Sequence, residues 1–375
     1  MSIECIIPPH MLRSIAENGT PAQRAQALET FATSAEMRGL REARTGQPTL
    51  VQAQAVPHKE RVIYDAAYGT TLPGIKVRGE GDPPSADVAV NEAYDGSGAT
   101  YDLYHDVYQR NSIDNQGMRL DSTVHYDIGY DNAFWNGENM VYGDGDEDLP
   151  EAERLFNRFT IAMDIIAHEL THGVTQHEAK LVYSMQSGAL NESFSDVFGS
   201  LVKQRMLNQT ATQADWIIGG GLFTANVNGQ GIRSMIAPGT AYNDPVLGRD
   251  PQPAHMRDYR VYPYDSGGVH INSGIPNHAF YVVARELGGF AWEKAGHIWY
   301  VALRDKLNML SNFEHAANMT YDVAGSLYGA GSLEQQAVKT GWSAVGLTVE
   351  SGGFQRFIAW LIELLSRLIG REVRA

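Results

Sequence analysis

His168-Glu169-Leu170-Thr171-His172 is an HExxH stretch, and it decides how this chain is read. Two histidines four positions apart share one face of an α-helix, with their rings about one turn apart. That spacing suits two imidazole nitrogens on one tetrahedral zinc, with Glu169 beside the coordination position left open. The segment before it, carrying Phe159, Ala162, Met163, Ile165 and Ile166, has the apolar spacing of a buried helix. A purely structural role, two histidines packing a core helix, would leave Glu169 without a partner in apolar surroundings, which is costly.

The third ligand decides which kind of HExxH site this is. An extended HExxHxxGxxH needs glycine at 175 and histidine at 178, but the chain has Thr175 and Glu178, and His177 is one residue out of register. Twenty positions beyond the histidines, Asn191-Glu192-Ser193-Phe194-Ser195-Asp196 fits better. Glu192 and Asp196 are four apart, hence on one helix face: the first can bind zinc while the second holds a ligand histidine by its other N–H.

Outward from the motif, the 375 residues suffice for two domains and a large core. A composition of 43% hydrophobic and 19% charged residues, with 38 glycines, is that of a globular protein with many turns. The formal net charge of -15 argues against nucleic acid or an anionic membrane as the main partner. Cys5 is the single cysteine, so no intramolecular disulfide can form. The N-terminus has no basic leader or signal-length apolar run, so the protein either stays in the cytoplasm or is secreted by a route that reads no such signal. No run of about 18 apolar residues is present to serve as a transmembrane segment.

Residues 1–60 have the texture of a separate leader and linker. Pro8-Pro9 precede an apolar patch of Met11, Leu12 and Ile15, and Ala25, Leu28, Phe31, Ala32 and Ala35 recur at helical spacing between Pro21 and Arg44. From Arg61 short strands and turns take over, with strands expected over Ser122–Tyr130 and Asn139–Tyr142. A helix is expected over Tyr101–Arg110 and another from Glu151 through the HExxH to about Val174. The remainder to about residue 345 is mostly helical, with a long loop over Pro238–Pro263. Phe354, Phe357, Ile358, Leu361, Leu364, Leu365 and Leu368 then form one apolar stripe, that of a C-terminal helix packing on the protein itself or on a partner.

Over roughly residues 62 to 345 the chain resembles the thermolysin family of zinc metalloendopeptidases. The matching text comprises Asn132-Ala-Phe-Trp-Asn-Gly137, Met140-Val-Tyr-Gly-Asp-Gly-Asp146, the HExxH, Ser187-Gly-Ala-Leu-Asn-Glu192 and Gly267-Gly-Val-His-Ile-Asn-Ser-Gly274. The leader with Pro8-Pro9-His10-Met11-Leu12 looks like the short propeptide of the protealysin-like branch. The resemblance implies an α+β, two-lobed peptidase: a propeptide and linker (1–60), a β-rich lobe ending in the HExxH helix (61–180), a helical lobe (181–348) and the terminal helix (349–375), with the zinc cleft between the lobes. It implies zinc on His168, His172 and Glu192, Glu169 as the acid–base residue, and Tyr183 and His270 as donors to the oxyanion. Asp265 would orient His270, and Asp196 would orient His168. Asn132, the Ala133 carbonyl and Arg233 would hold the backbone of a polypeptide substrate. Phe156, Phe159, Ile165 and Ile232 would line an apolar pocket for the residue after the cut. The propeptide would inhibit its own enzyme until self-processing between about residues 45 and 61.

The chain also departs from that family. Asp164 and Asp215 remain of the acids expected at a buried double Ca2+ site, but Lys203, Ile217 and Gly220 replace the others. A lysine would repel the cation, so calcium is expected to be lost there. Asp144, Asp146, Glu147 and Asp148 read as a solvated acidic turn. The Cys5 thiol, in the propeptide, is either incidental or a cap for the zinc, since thiolates are good zinc ligands.

Overall fold

The computed structural model describes residues 4–44 and 58–349. The expected linker over Thr45–Pro57 and the amphipathic stripe beyond residue 353 lie outside the described residues.

The chain begins with a two-residue strand β1 (Glu4–Cys5), followed by α1 (Pro9–Asn18) and α2 (Pro21–Arg44). Pro9 opens α1 where an N–H would have no partner, and Met11, Leu12 and Ile15 form its buried face. In α2 the spacing is helical, but the buried face is not the expected one. Gln23, Gln26, Ala27, Thr30 and Ser34 are buried, whereas Leu28 is 60% exposed. Side-chain hydrogen bonds outweigh apolar area on this helix: Gln23 Nε2 donates to the Glu153 carbonyl (2.7 Å) and Gln26 Nε2 to Asp148 Oδ1 (2.9 Å).

The next region supplies β2 (Arg61–Asp65), β3 (Ile75–Gly79), α3 (Val88–Tyr108), β4 (Leu120–Val124), β5 (Ala133–Trp135) and β6 (Met140–Tyr142). Six strands form one sheet in the order β1-β5-β6-β4-β2-β3, parallel at β2/β4 and β4/β6 and antiparallel elsewhere. The N-terminal segment, expected to stand apart, thus supplies an edge strand. The strand expected to reach Tyr130 stops at Val124, because His125 and Asp127 turn left-handed (φ 53° and 61°). His125 is instead clamped by Asp144 Oδ2 and Asp87 Oδ2, both at 2.7 Å.

The long helix expected from Glu151 is broken by tertiary bonds. Leu155 and Phe156 donate their N–H groups to Asp146 Oδ2 (2.7 and 2.8 Å), and the Asn157 N–H donates to the Leu222 carbonyl (2.8 Å). Asp146 is therefore a buried cap and not part of a solvated turn. The helix proper, α4 (Met163–His177), starts only at Met163.

Against α4 packs α5 (Met185–Met206), and both are buried along almost their whole length. Gly199 permits the contact: a Cβ there would stand 2.5 Å from the Asp164 carbonyl and 3.3 Å from the His168 nitrogen. Beyond α5 lie two short hairpins, β7 (Ile217–Ile218) with β8 (Arg233–Ser234) and β9 (Asn243–Asp244) with β10 (Gly248–Arg249). Five helices complete the described chain: α6 (Asp265–Asn272), α7 (Gly274–Leu287), α8 (Lys294–Asp305), α9 (Phe313–Tyr328) and α10 (Leu333–Ala344). The fold is α+β, with a sheet-bearing N-terminal region and a helical C-terminal region that meet where α4 packs on α5.

Candidate active site

His168 and His172 sit one turn apart on α4, and their Nε2 atoms face each other at 3.0 Å. From α5, Glu192 places Oε2 at 3.6 Å from His168 Nε2 and Oε1 at 3.5 Å from His172 Nε2. All three side chains are fully buried. Their outer contacts fix the tautomers: His168 Nδ1–H donates to Asp196 Oδ1 (2.8 Å), and His172 Nδ1–H donates to Asn191 Oδ1 (2.8 Å) with Ser195 Oγ at 3.0 Å. With the protons on Nδ1, two Nε2 lone pairs point at one another. Glu192 Oε2 is buried with no hydrogen-bond partner among the described residues.

Two facing lone pairs and a buried carboxylate oxygen repel unless a cation lies among them, so the donor set N, N, O fits zinc. Burial keeps the metal-binding form ready by pulling the His168 pKa down to about 4, against the opposing pull of Asp196. Glu169 is next to this set: its ligand atom and those of both histidines lie within 4.8 Å of one another. Glu169 Oε2 accepts the Trp135 N–H at 3.1 Å, which ties the acid to β5.

Asp196 serves a second partner. The Arg233 guanidinium grips it twice (2.7 and 2.8 Å) and Asn277 Nδ2 donates to it at 2.7 Å. Burial pushes this carboxyl up, but Arg233 and His168 outweigh that and hold it well below the usual carboxylate range. Asn191, Ser195 and Asn277 join this set beyond the residues that the sequence nominates. Asn191 had a signal, lying beside Glu192 in a motif, while Asn277 is brought in from α7 by the fold alone.

The Tyr183 hydroxyl donates to Glu192 Oε1 and stands 3.1 Å from His270 Nε2. His270 Nδ1–H donates to Asp265, whose other oxygen accepts the His270 backbone N–H at 3.0 Å. Four successive residues, Asp265 to Gly268, take left-handed φ values of 58°, 48°, 93° and 89° to make this possible. Glycine at 267 and 268 removes most of the strain of that turn. Burial lowers the His270 pKa, but the charges of Asp265 and Glu192 raise it to about 9, so both ring nitrogens carry protons near neutral pH.

The N-terminal strand crosses this site. β1 pairs antiparallel with β5, Cys5 opposite Phe134. The Cys5 carbonyl accepts from His270 Nε2 at 2.9 Å. The Ile6 N–H donates to the Ala133 carbonyl (3.2 Å), the Ile6 carbonyl accepts from Arg233 Nη1 (3.3 Å), and the Ile7 N–H donates to Asn132 Oδ1 (2.9 Å). Cys5 therefore meets His270 through its carbonyl, and its side chain packs in a cluster with Tyr126, Tyr130, Phe134 and Val141. Ile6 is fully buried, as are Phe156, Phe159, Ile165 and Ile232. The nominated polar residues thus meet where β5, α4, α5, β8 and α6 converge, and the nominated apolar residues Phe156, Phe159, Ile165 and Ile232 are buried.

Lys203 occupies the ground expected for calcium. Its Nζ lies 2.8 Å from Asp164 Oδ2 and 3.0 Å from Asp215 Oδ1, and it donates to the Ile217 carbonyl. Burial lowers its pKa, but the two carboxylates more than compensate and raise it.

Comparison with known proteins gives two adjoining family matches, "Thermolysin metallopeptidase, catalytic domain" over residues 53–176 and "Thermolysin metallopeptidase, alpha-helical domain" over residues 179–347. An extracellular metalloprotease of Pectobacterium carotovorum subsp. carotovorum is 48% identical over 345 residues, 92% of this chain and 96% of that protein. Protease PrtS of Photorhabdus sp. (strain Az29) is 45% identical, with 92% of each chain covered. The solved precursor of protealysin, a metalloproteinase from Serratia proteamaculans, superimposes with a TM-score of 0.83 at 50% identity, covering 92% of this chain and 100% of that one.

Proposed function

We propose that this chain, which belongs to the thermolysin family of metallopeptidases, is a latent endopeptidase that cuts polypeptides before an apolar residue and is blocked by its own N-terminal segment. Hydrolysis with zinc and a propeptide are properties the chain shares with its family. The observation that carries the finer reading is the backbone of Cys5 to Ile7, bonded to His270, Ala133, Arg233 and Asn132.

The chemistry a bound zinc supplies is Lewis acidity, which lowers the pKa of a neighbouring water. His168, His172 and Glu192 would hold it, with Asp196 and Asn191 fixing the two imidazoles. Glu169, steadied by the Trp135 N–H, takes a proton from the attacking water and delivers it to the leaving amine. Tyr183 and His270 offer hydrogen bonds where negative charge develops on the carbonyl oxygen. Asn132, the Ala133 carbonyl and Arg233 align the chain, and the Phe156, Phe159, Ile165 and Ile232 surroundings favour an apolar side chain after the cut. With Lys203 between Asp164 and Asp215, the enzyme needs no calcium at that place.

A peptide library digested with and without a chelator, with the cut sites sequenced, tests this. The expected result is chelator-sensitive cleavage with Ile, Leu or Phe following the cut. Cleavage that ignores the residue after the cut would refute the specificity.

A further inference from the structure

A segment that merely plugs a cleft has no reason to match the catalytic register, and one that must survive there would do well to avoid it. From the Cys5 carbonyl to the Ile7 N–H, four successive backbone groups meet the residues proposed to align a substrate. The strand runs antiparallel to β5, so its direction is fixed by Glu4 opposite Trp135 and Cys5 opposite Phe134. Cys5 turns its carbonyl to His270 Nε2, one of the two donors proposed for the oxyanion. The next two N–H groups, of Ile6 and Ile7, go to the Ala133 carbonyl and Asn132 Oδ1, and the Ile6 carbonyl goes to Arg233. The Ile6 side chain is 0% exposed, in the main apolar cluster of the molecule. Only one peptide bond in this strand lies between a carbonyl on His270 and an N–H on Ala133.

We propose that the Cys5–Ile6 peptide bond is itself a substrate of this enzyme, bound in the cutting register with Ile6 as the residue after the cut. The inference rests on the endopeptidase reading above and adds a defined bond to it. Hydrolysis consumes one water: its oxygen ends on the Cys5 carboxyl group, the C–N bond breaks, and the proton balance leaves a free amine on Ile6. Within the docked precursor, Pro8-Pro9 and α1 hold that amine in place, which favours the reverse reaction through high effective concentration. The bond is therefore best tested in trans.

A synthetic peptide of residues 1–10, Met-Ser-Ile-Glu-Cys-Ile-Ile-Pro-Pro-His, is incubated with the processed enzyme beside an unrelated apolar control peptide, and fragments are read by mass spectrometry. The expected first cut is Cys5–Ile6. A first cut at Ser2–Ile3 or Ile6–Ile7, or no cut while the control is turned over, overturns the proposal. Failure of the control as well refutes the peptidase reading instead, and a second arm then decides the register without turnover. Amide hydrogen exchange is followed over residues 4–15 in the full-length Glu169→Ala precursor with and without Ile6→Asp. Burying a carboxylate in that apolar cluster should speed exchange there by at least about tenfold. Unchanged exchange means Ile6 is not the anchor and overturns the proposal.

Discussion

Asp196 carries two duties, orienting His168 through Oδ1 and neutralising Arg233 through both oxygens, and comparison with Asn191, which orients His172 without pairing a charge, separates them. Asp196→Ala is expected to weaken zinc affinity by about 10- to 100-fold, as loss of such an outer partner does elsewhere. It also leaves a fully buried guanidinium uncompensated, at a cost of about 3–5 kcal/mol in stability. Asn191→Ala should loosen zinc through His172 in the same way without exposing a buried charge, so its stability loss should be clearly smaller. Chelator competition and urea unfolding measure the two effects, and equal stability losses would contradict the division of labour. At this scale much of the geometry of the candidate site is legible in the sequence. The HExxH spacing fixes a helix face, and the register of residues 175 and 178 left Glu192 as the better third-ligand candidate. Asn277 and the Trp135 N–H were not legible, because a neutral amide from α7 and a backbone group carry no periodicity or charge pattern.

Elements are less legible in the sequence than residues, for a consistent reason. Spacing predicts the α2 helix but not its buried face, since Gln23, Gln26, Thr30 and Ser34 form directed hydrogen bonds that apolar periodicity ignores. Local propensity makes the Glu151 segment a helix because it cannot register Asp146 capturing the Leu155 and Phe156 N–H groups from outside. Two predictions belong here. Lys203→Met removes the only cation that pairs with Asp164 among the described residues, a carboxylate 1% exposed, and should cost about 3 kcal/mol. In the unsubstituted protein added calcium should leave Tm unchanged; a rise of several degrees would contradict the role given to Lys203. The other prediction concerns His125, which joins the end of β4 to Asp87, the cap of α3, and to Asp144. The bond to Asp144, with the charges of Asp144 and Asp87, raises its pKa from 6.5 to about 9 against the effect of burial. A raised folded-state pKa means that the clamp is at full strength below about pH 6.5 and is lost as pH rises through 9. The stability gap between the unsubstituted protein and His125→Gln should therefore narrow steadily between those values in denaturant melts. A gap independent of pH would exclude the charged clamp.

For the whole molecule, what matters is how the N-terminal segment can hold firmly and still leave. Its contacts outside the cleft are mostly single polar bonds: Thr20 to Glu153, Gln23 to Glu153, Gln26 to Asp148, Ser14 to the Val246 carbonyl, His10 to Tyr242. Each such bond contributes only about 0.5–1.5 kcal/mol net, because water replaces it on release. Apolar anchoring is concentrated in Ile6, Ile7 and the Met11, Leu12, Ile15 face of α1. Covalent attachment multiplies this modest grip, since a tether keeps the segment at an effective concentration in the millimolar range. A single cut in the proposed interval of residues 45 to 61 would abolish that advantage and leave a bimolecular equilibrium. Latency after processing should then depend on concentration. In a freshly processed sample kept unpurified, specific activity should rise on serial dilution towards a plateau. Adding back the residue 1–44 peptide should reverse the rise competitively with substrate until the peptide is itself cut, and Glu169→Ala precursor should remain full length throughout. Specific activity that stays constant over a thousandfold dilution would show that the segment leaves by destruction and not by dissociation.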